Sequence, residues 1–176
     1  KKLKGSYAIT VLLENCLVAA RDPYGFKPLV IGERDGTFYA ASESCALDIV
    51  GATLLRDVQP GEIVVIGAGG IKSLRVRQEH CGRCMHCSFE YVYTARPDSI
   101  IDGCSVYEAR KEMGRRLAKK SPCEGANLAA GMPDSGTIAA IGYAQASGTP
   151  FEMAIVRNRY VGRTFIQPTQ KVRELG

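Results

Sequence analysis

Six strand-like runs, joined in pairs by short turns, two of them hairpin dipeptides, dominate the first 77 residues. "YAITVLL" and "CLVAARD" flank Glu14-Asn15, and "PLVIGER" and "TFYAASE" flank Asp35-Gly36. Two-residue connections of this kind, Asp-Gly above all, close antiparallel strands. "QPGEIVVIG" opens on a Pro-Gly turn, and "IKSLRVR" pairs with it across "AGG". The loop "GAGG", Gly67 to Gly70, lacks dinucleotide-loop spacing and has no helix after it, so it reads as a hairpin turn. One interruption, "SESCALDIVG", reads as a short helix that Ser42 or Ser44 could cap and Gly51 could end. Residues 6–77 are therefore expected to be antiparallel sheet with one helix.

Beyond residue 88 the pattern changes. "SVYEARKEMGRRLAKK" is a helix with a capping box from Ser105 to Glu108. Val106, Ala109, Met113 and Leu117 form its apolar face, and Pro122 stops it. "NLAAGM" is a short apolar strand, "PDSG" a turn, "TIAAIGYAQASG" a small-residue helix ending at Gly148, and "FEMAIVRN" another strand. Strand, turn, helix, strand is the start of a parallel α/β unit. The change of style falls near residues 78–88.

The formal net charge of +5, from 23 basic and 18 acidic side chains, is spread along the chain. It suits phosphorylated ligands and does not call for nucleic acid. No apolar run approaches the ~20 residues of a membrane span, and no signal peptide is seen. Seven cysteines, an odd number, argue for a reducing compartment, so a cytoplasmic location is expected. Lys1 in place of Met, and a strand-like run starting within a few residues, suggest a piece of a longer protein.

Three constellations bear on chemistry. Cys81, Cys84 and Cys87, beside His80 and His86, could hold zinc or part of an iron–sulfur cluster. They could equally be plain linker cysteines, or one of them could serve a cluster completed elsewhere. "PDSG", Pro133 to Gly136, stands at a helix N-terminus, where N–H groups attract anions and a Ser hydroxyl can help hold hydrated magnesium. An ordinary cap by Asp134 or Ser135 is the simpler reading. "RNRYVGRTFIQPTQKVR" places Arg157, Arg159 and Arg163 around Asn158, Tyr160 and Gly162. Arginine forks suit phosphate oxygens, and so little apolar periodicity suits a loop that closes on an anion.

Taken together, the quoted blocks carry a resemblance. "GSYAITVL", "AARDPYGFKPLVIG" and "ASESCALD" resemble the glutaminase domain of class II amidotransferases, and "RDPYGFKPL" alone also resembles asparagine synthetase. "CSFEYVYTARPDS", "VYEARKEMG", "PDSG", "AAIGYA" and "NRYVGRTFIQPTQ" are similar to the amidophosphoribosyltransferase family.

The resemblance implies a mixed α+β and α/β fold. Residues 1–80 would be the C-terminal part of an αββα glutaminase of the N-terminal-nucleophile type, 81–88 a linker, and 89–176 the start of a type I phosphoribosyltransferase domain. It implies glutamine and phosphoribosyl pyrophosphate as substrates, 5-phosphoribosylamine as product at the first committed step of purine synthesis, purine nucleotides as feedback inhibitors, and a homotetramer. It places Cys87 as one ligand of a [4Fe–4S] cluster whose other ligands lie beyond this chain, Ser135 at a magnesium position, and residues 157–167 in the loop that closes over the substrate. Arg157 stands where the family often has Lys and Thr94 where Phe is common, and "NLAAGMPDSG" replaces a more β-branched strand. The glutamine nucleophile and the pyrophosphate loop would lie outside residues 1–176, so this chain alone is expected to be inactive. The competing reading is a metal-binding module built on Cys81, Cys84 and Cys87.

Overall fold

The computed structural model describes residues 3–75, 84–162 and 164–174. The chain divides into two compact units, Lys1–Arg110 and Lys111–Gly176.

The first unit is built from β1 (Ala8–Leu12), β2 (Cys16–Arg21), β3 (Val30–Arg34), β4 (Thr37–Ala41), α1 (Ser44–Ile49), β5 (Thr53–Asp57), β6 (Glu62–Gly67) and β7 (Gly70–Arg75). All pairings among these strands are antiparallel, in a four-stranded sheet of order β1-β2-β6-β7 and a three-stranded sheet of order β4-β3-β5. The expected hairpins form at the expected dipeptides. Leu13 N–H donates to the Cys16 carbonyl, which leaves Glu14-Asn15 as the turn. Arg34 pairs with Thr37 across Asp35 and Gly36, whose φ angles of 50° and 77° suit a type I′ turn. Gly67 pairs with Gly70, so "GAGG" is a hairpin turn.

Ala19, Leu29, Ile31, Val58 and Val64 are buried together and join the two sheets. Val30, Leu47 and Ala52 form a second cluster between the three-stranded sheet and α1. Burying each of the larger aliphatics is worth about 1.5–3 kcal/mol. Gly32 makes room for α1, since a Cβ there would lie 2.8 Å from both Leu47 methyls. The layers run sheet, sheet, helix. Neither Ser42 nor Ser44 caps α1. Glu43 stands at the cap position without a side-chain cap bond, and Ser44 Oγ instead accepts the Ile100 N–H at 2.8 Å.

The end of this unit is irregular. "EYVYT", with its β-branched and aromatic residues, winds into a π-helical turn at Glu90–Thr94. Tyr91 and Ala95 carbonyls accept from the buried Arg110, at 2.6 and 2.7 Å, which gives acceptors in this irregular segment a partner. A small hairpin follows, β8 (Ile100–Ile101) and β9 (Cys104–Ser105), turning at Asp102-Gly103.

Helix α2 (Val106–Lys120) begins in the first unit and continues into the second. Glu108 N–H donates to Ser105 Oγ at 3.3 Å, a bond expected of the capping box. The buried line is Val106, Arg110, Gly114 and Ala118, while Met113 and Leu117 are 39 % and 52 % exposed. The apolar face expected at Val106, Ala109, Met113 and Leu117 is thus displaced by one position. Close backbone contact, not side-chain bulk, sets the packing. A Cβ on Gly114 would lie 1.8 Å from the Ala139 carbonyl oxygen, and one on Gly142 would lie 2.0 Å from that of Lys111. Gly142 lies on α3 (Ser135–Ser147), which ends as expected at Gly148 with φ 75°. The two expected strands contribute only one described bridge, the parallel pair Ala129–Phe151. Helix α4 (Gln170–Glu174) was not foreseen.

Candidate functional site

The Ala129–Phe151 bridge decides where chemistry can gather in the second unit. Its segments run parallel, held by Ala129 N–H to the Pro150 carbonyl and Glu152 N–H to the Ala129 carbonyl. Both therefore leave the bridge at the same edge, the carboxyl edge where open α/β sheets bind ligands. The first leads through residues 131–134 into α3, and the second leads to residue 157 and the arginine-rich segment. Gly131 permits the tight entry, because a Cβ there would lie 2.5 Å from the Thr137 Cα.

At the N-terminus of α3, Asp134 holds the cap position but makes no cap hydrogen bond. Its Oδ2 lies 3.5 Å from Arg157 Nη1 instead. The simpler reading, an Asp134 cap, is not what the geometry shows. Ser135 opens the helix and is partly buried. The Gly136 and Thr137 N–H groups already donate to the Met132 and Asp134 carbonyls. Attraction for an anion here therefore rests on the helix dipole and the nearby arginines more than on free N–H groups.

The segment after the bridge is open. Tyr160 is 101 % exposed and Phe165 89 %. Asn158 shapes the bend, its Oδ1 accepting from Tyr160 N–H at 3.0 Å, and Arg159 is exposed. Arg173 Nε donates to the Gln167 carbonyl and ties α4 to this segment. Arg163 lies outside the described residues. An apolar cavity of about 420 Å³ lies in this unit, lined by Leu117, Leu128, Met132, Ala140 and Tyr143 among others. It has no charged lining, so it does not suit a phosphate.

The cysteines behave differently. Cys84 Sγ lies 2.7 Å from His86 Nε2, which is 3.1 Å from Asp102 Oδ2. Burial and the negative charge of Asp102 push the Cys84 thiol upward. Cys87 is a free, half-buried thiol just before the π-helical turn, its carbonyl accepting from Glu90 N–H. Cys81 and His80 lie outside the described residues. Among the described residues no three His, Cys, Asp or Glu side chains are grouped to hold a metal ion. The metal-module reading is not favoured. Cys87 could supply one thiolate to a cluster, but the described residues do not make a cluster site.

Sequence reasoning missed a polar seam in the first unit. Arg21, 1 % exposed, donates from Nη1 and Nη2 to both Asp102 oxygens at 2.7 Å and to the carbonyls of Val58 and Gly25, and from Nε to that of Lys27. Burial works against its charge, but Asp102 more than compensates and holds the guanidinium above its usual value. Asp22 accepts the N–H groups of Tyr24, Phe26 and Lys27. Lys27 pairs with Glu90 at 2.7 Å. Asp57, raised by burial, accepts the Asp102 N–H, and Glu43 accepts from Arg96 N–H and Ser99 Oγ. Tyr91 donates to the Ile101 carbonyl, and burial pushes its phenol up to about 12. "RDPYGFK" is thus a structural clamp. One signal was available in the sequence: Asp102-Gly103 is the same hairpin dipeptide as Asp35-Gly36.

A family model described as a glutamine amidotransferase domain matches residues 1–48. The particular relatives are amidophosphoribosyltransferases. Those of Mycobacterium tuberculosis and Bacillus subtilis are 52 % and 50 % identical over 174 residues, 99 % of this chain and 32 % and 36 % of theirs. That of Archaeoglobus fulgidus is 50 % identical over the same share of this chain and 37 % of its own. Two solved structures superpose with a TM-score of 0.87 at 50 % identity, covering 98 % of this chain and 37 % of theirs. One is described as the allosteric regulatory enzyme of purine biosynthesis. The other is glutamine phosphoribosylpyrophosphate amidotransferase from Bacillus subtilis complexed with ADP and GMP. Over nearly its whole length the chain is homologous to a segment of the amidophosphoribosyltransferases, and it spans about a third of their length.

Proposed function

We propose that the protein containing this chain converts glutamine and phosphoribosyl pyrophosphate to 5-phosphoribosylamine. The observation that carries this is half-identity over 99 % of the chain to enzymes of that name. Residues 1–80 then belong to a glutaminase of the αββα, N-terminal-nucleophile type, which supplies ammonia. Residues 81–88 link it to residues 89–176, the start of a type I phosphoribosyltransferase.

Ammonia attacks C1 of the sugar, the bond to pyrophosphate breaks, and pyrophosphate leaves with its electron pair. Arg157, Arg159 and Arg163 meet the charge on the leaving group, while Asn158 and Tyr160 shape the loop that shuts out water. Ser135 would help hold magnesium, which would neutralise pyrophosphate oxygens. Cys87 would be one ligand of a [4Fe–4S] cluster, to which no chemical step is given. ADP and GMP on the Bacillus subtilis enzyme support purine nucleotides as regulators. A homotetramer in the cytoplasm fits the same reading. Among the described residues no helix is long and apolar enough to cross a membrane.

The test is a pair of assays on the whole protein: phosphoribosylamine formation, and glutamine hydrolysis with and without phosphoribosyl pyrophosphate. Turnover in both, with hydrolysis stimulated by the sugar, is expected. Absence of either activity overturns the reading.

A further inference from the structure

The scheme above gives Asp134 no role, and the position of its pair with Arg157 is specific. The parallel bridge delivers both residues to one edge, Asp134 four residues before α3 completes its first turn and Arg157 at the start of the open segment. The Asp134 carboxylate forgoes its helix cap and faces Nη1 of Arg157 at 3.5 Å, with the two side chains 74 % and 55 % exposed. No other ion pair of Arg157 is found among the described residues. An exposed pair at this distance is weak and readily exchanged for a better anion. A phosphate offers a guanidinium two parallel acceptors and more charge than one carboxylate oxygen.

We propose that Asp134 is a competing counter-ion that occupies Arg157 beside α3 until a pyrophosphate group displaces the carboxylate. The inference rests on the substrate reading above and adds a role for Asp134 within it. The carboxylate competes with the ligand for one guanidinium. It therefore weakens anion binding modestly.

The experiment is a double-mutant cycle on the whole protein, reading the Kd of inorganic pyrophosphate with magnesium present, together with KM and kcat for phosphoribosyl pyrophosphate. Asp134→Asn should tighten pyrophosphate two- to five-fold and lower KM with kcat unchanged. Asp134→Glu should restore wild-type values. In an Arg157→Gln background Asp134→Asn should have no effect. Both side chains are exposed, so melting temperatures should not move. A gain that persists in the Arg157→Gln background overturns the proposal, because Asp134 then acts only as a like charge near the ligand. Weaker binding in Asp134→Asn also overturns it and makes the carboxylate a metal partner. If the wild-type protein neither binds pyrophosphate nor forms phosphoribosylamine, the substrate reading itself fails. Wild-type binding with a null cycle removes this inference alone.

Discussion

Each of the two units is held together internally, and by opposite means. The first relies on buried charge: Arg21 reaches Asp102 across 81 positions of chain, and Lys27 reaches Glu90 across 63. The second relies on the absence of side chains, with α2 and α3 meeting at Gly114 and Gly142 so closely that a Cβ would strike backbone. Ionic clamps are specific but costly to half-remove, because the surviving partner stays buried. Glycine contacts tolerate no added atom. The candidate ligand edge belongs to neither mechanism, and its Arg157 and Arg159 are exposed.

That contrast orders the expected effects on stability. Arg21→Met should cost most, about 3–5 kcal/mol, because Asp102 and three carbonyls lose their donors. Urea denaturation of the whole protein measures it, and a loss under 1 kcal/mol would mean the clamp is dispensable. Gly142→Val should cost about 1–3 kcal/mol through overpacking. If it costs nothing, the crossing is looser than the 2.0 Å approach implies.

Acid sensitivity sharpens the ionic side further. Burial alone would raise the Glu62 carboxyl, but donors from Arg56, Ser73 and the Gln59 N–H outweigh it and hold it below its usual 4.5. A depressed value in the fold means stability that is complete above the unfolded value near 4.5 and lost as pH falls through the folded one. Melting temperature should therefore drop on acidification below about 4.5, and less steeply in Arg56→Met. Parallel curves for the two proteins would remove Glu62 from the account.

Arg159→Leu should change stability least, within about 0.5 kcal/mol, as the residue is exposed. In phosphoribosyl transfer it should cost roughly ten- to a hundred-fold, the worth of one charge-assisted contact of about 1.5–3 kcal/mol. Steady-state assays of phosphoribosylamine formation decide it. An unchanged rate would mean that Arg159 does not meet the substrate.

Local signals in the sequence determined the hairpins at Glu14-Asn15, Asp35-Gly36 and "GAGG", the helix at residues 44–49, and the ends of α2 and α3. Each depends on residues within a few positions of one another, so turn chemistry and periodicity suffice. The clustering of Arg157, Arg159 and Tyr160 was equally plain, because they are neighbours in the chain.

Tertiary structure alone decided the rest. "FEYVY" has β-forming composition, yet Glu90–Thr94 winds into a π-helical turn whose Tyr91 carbonyl, with that of Ala95 just beyond it, is answered by Arg110, 15 to 19 residues away. Helix α2 turned its glycine, not its Met113 and Leu117, inward, because the fit against α3 is set by backbone shape rather than by hydrophobicity. Asp134 gave up the cap that its position promised for an arginine 23 residues downstream. Propensity counts neighbours along the chain, whereas these choices were made by partners that only the fold brings near.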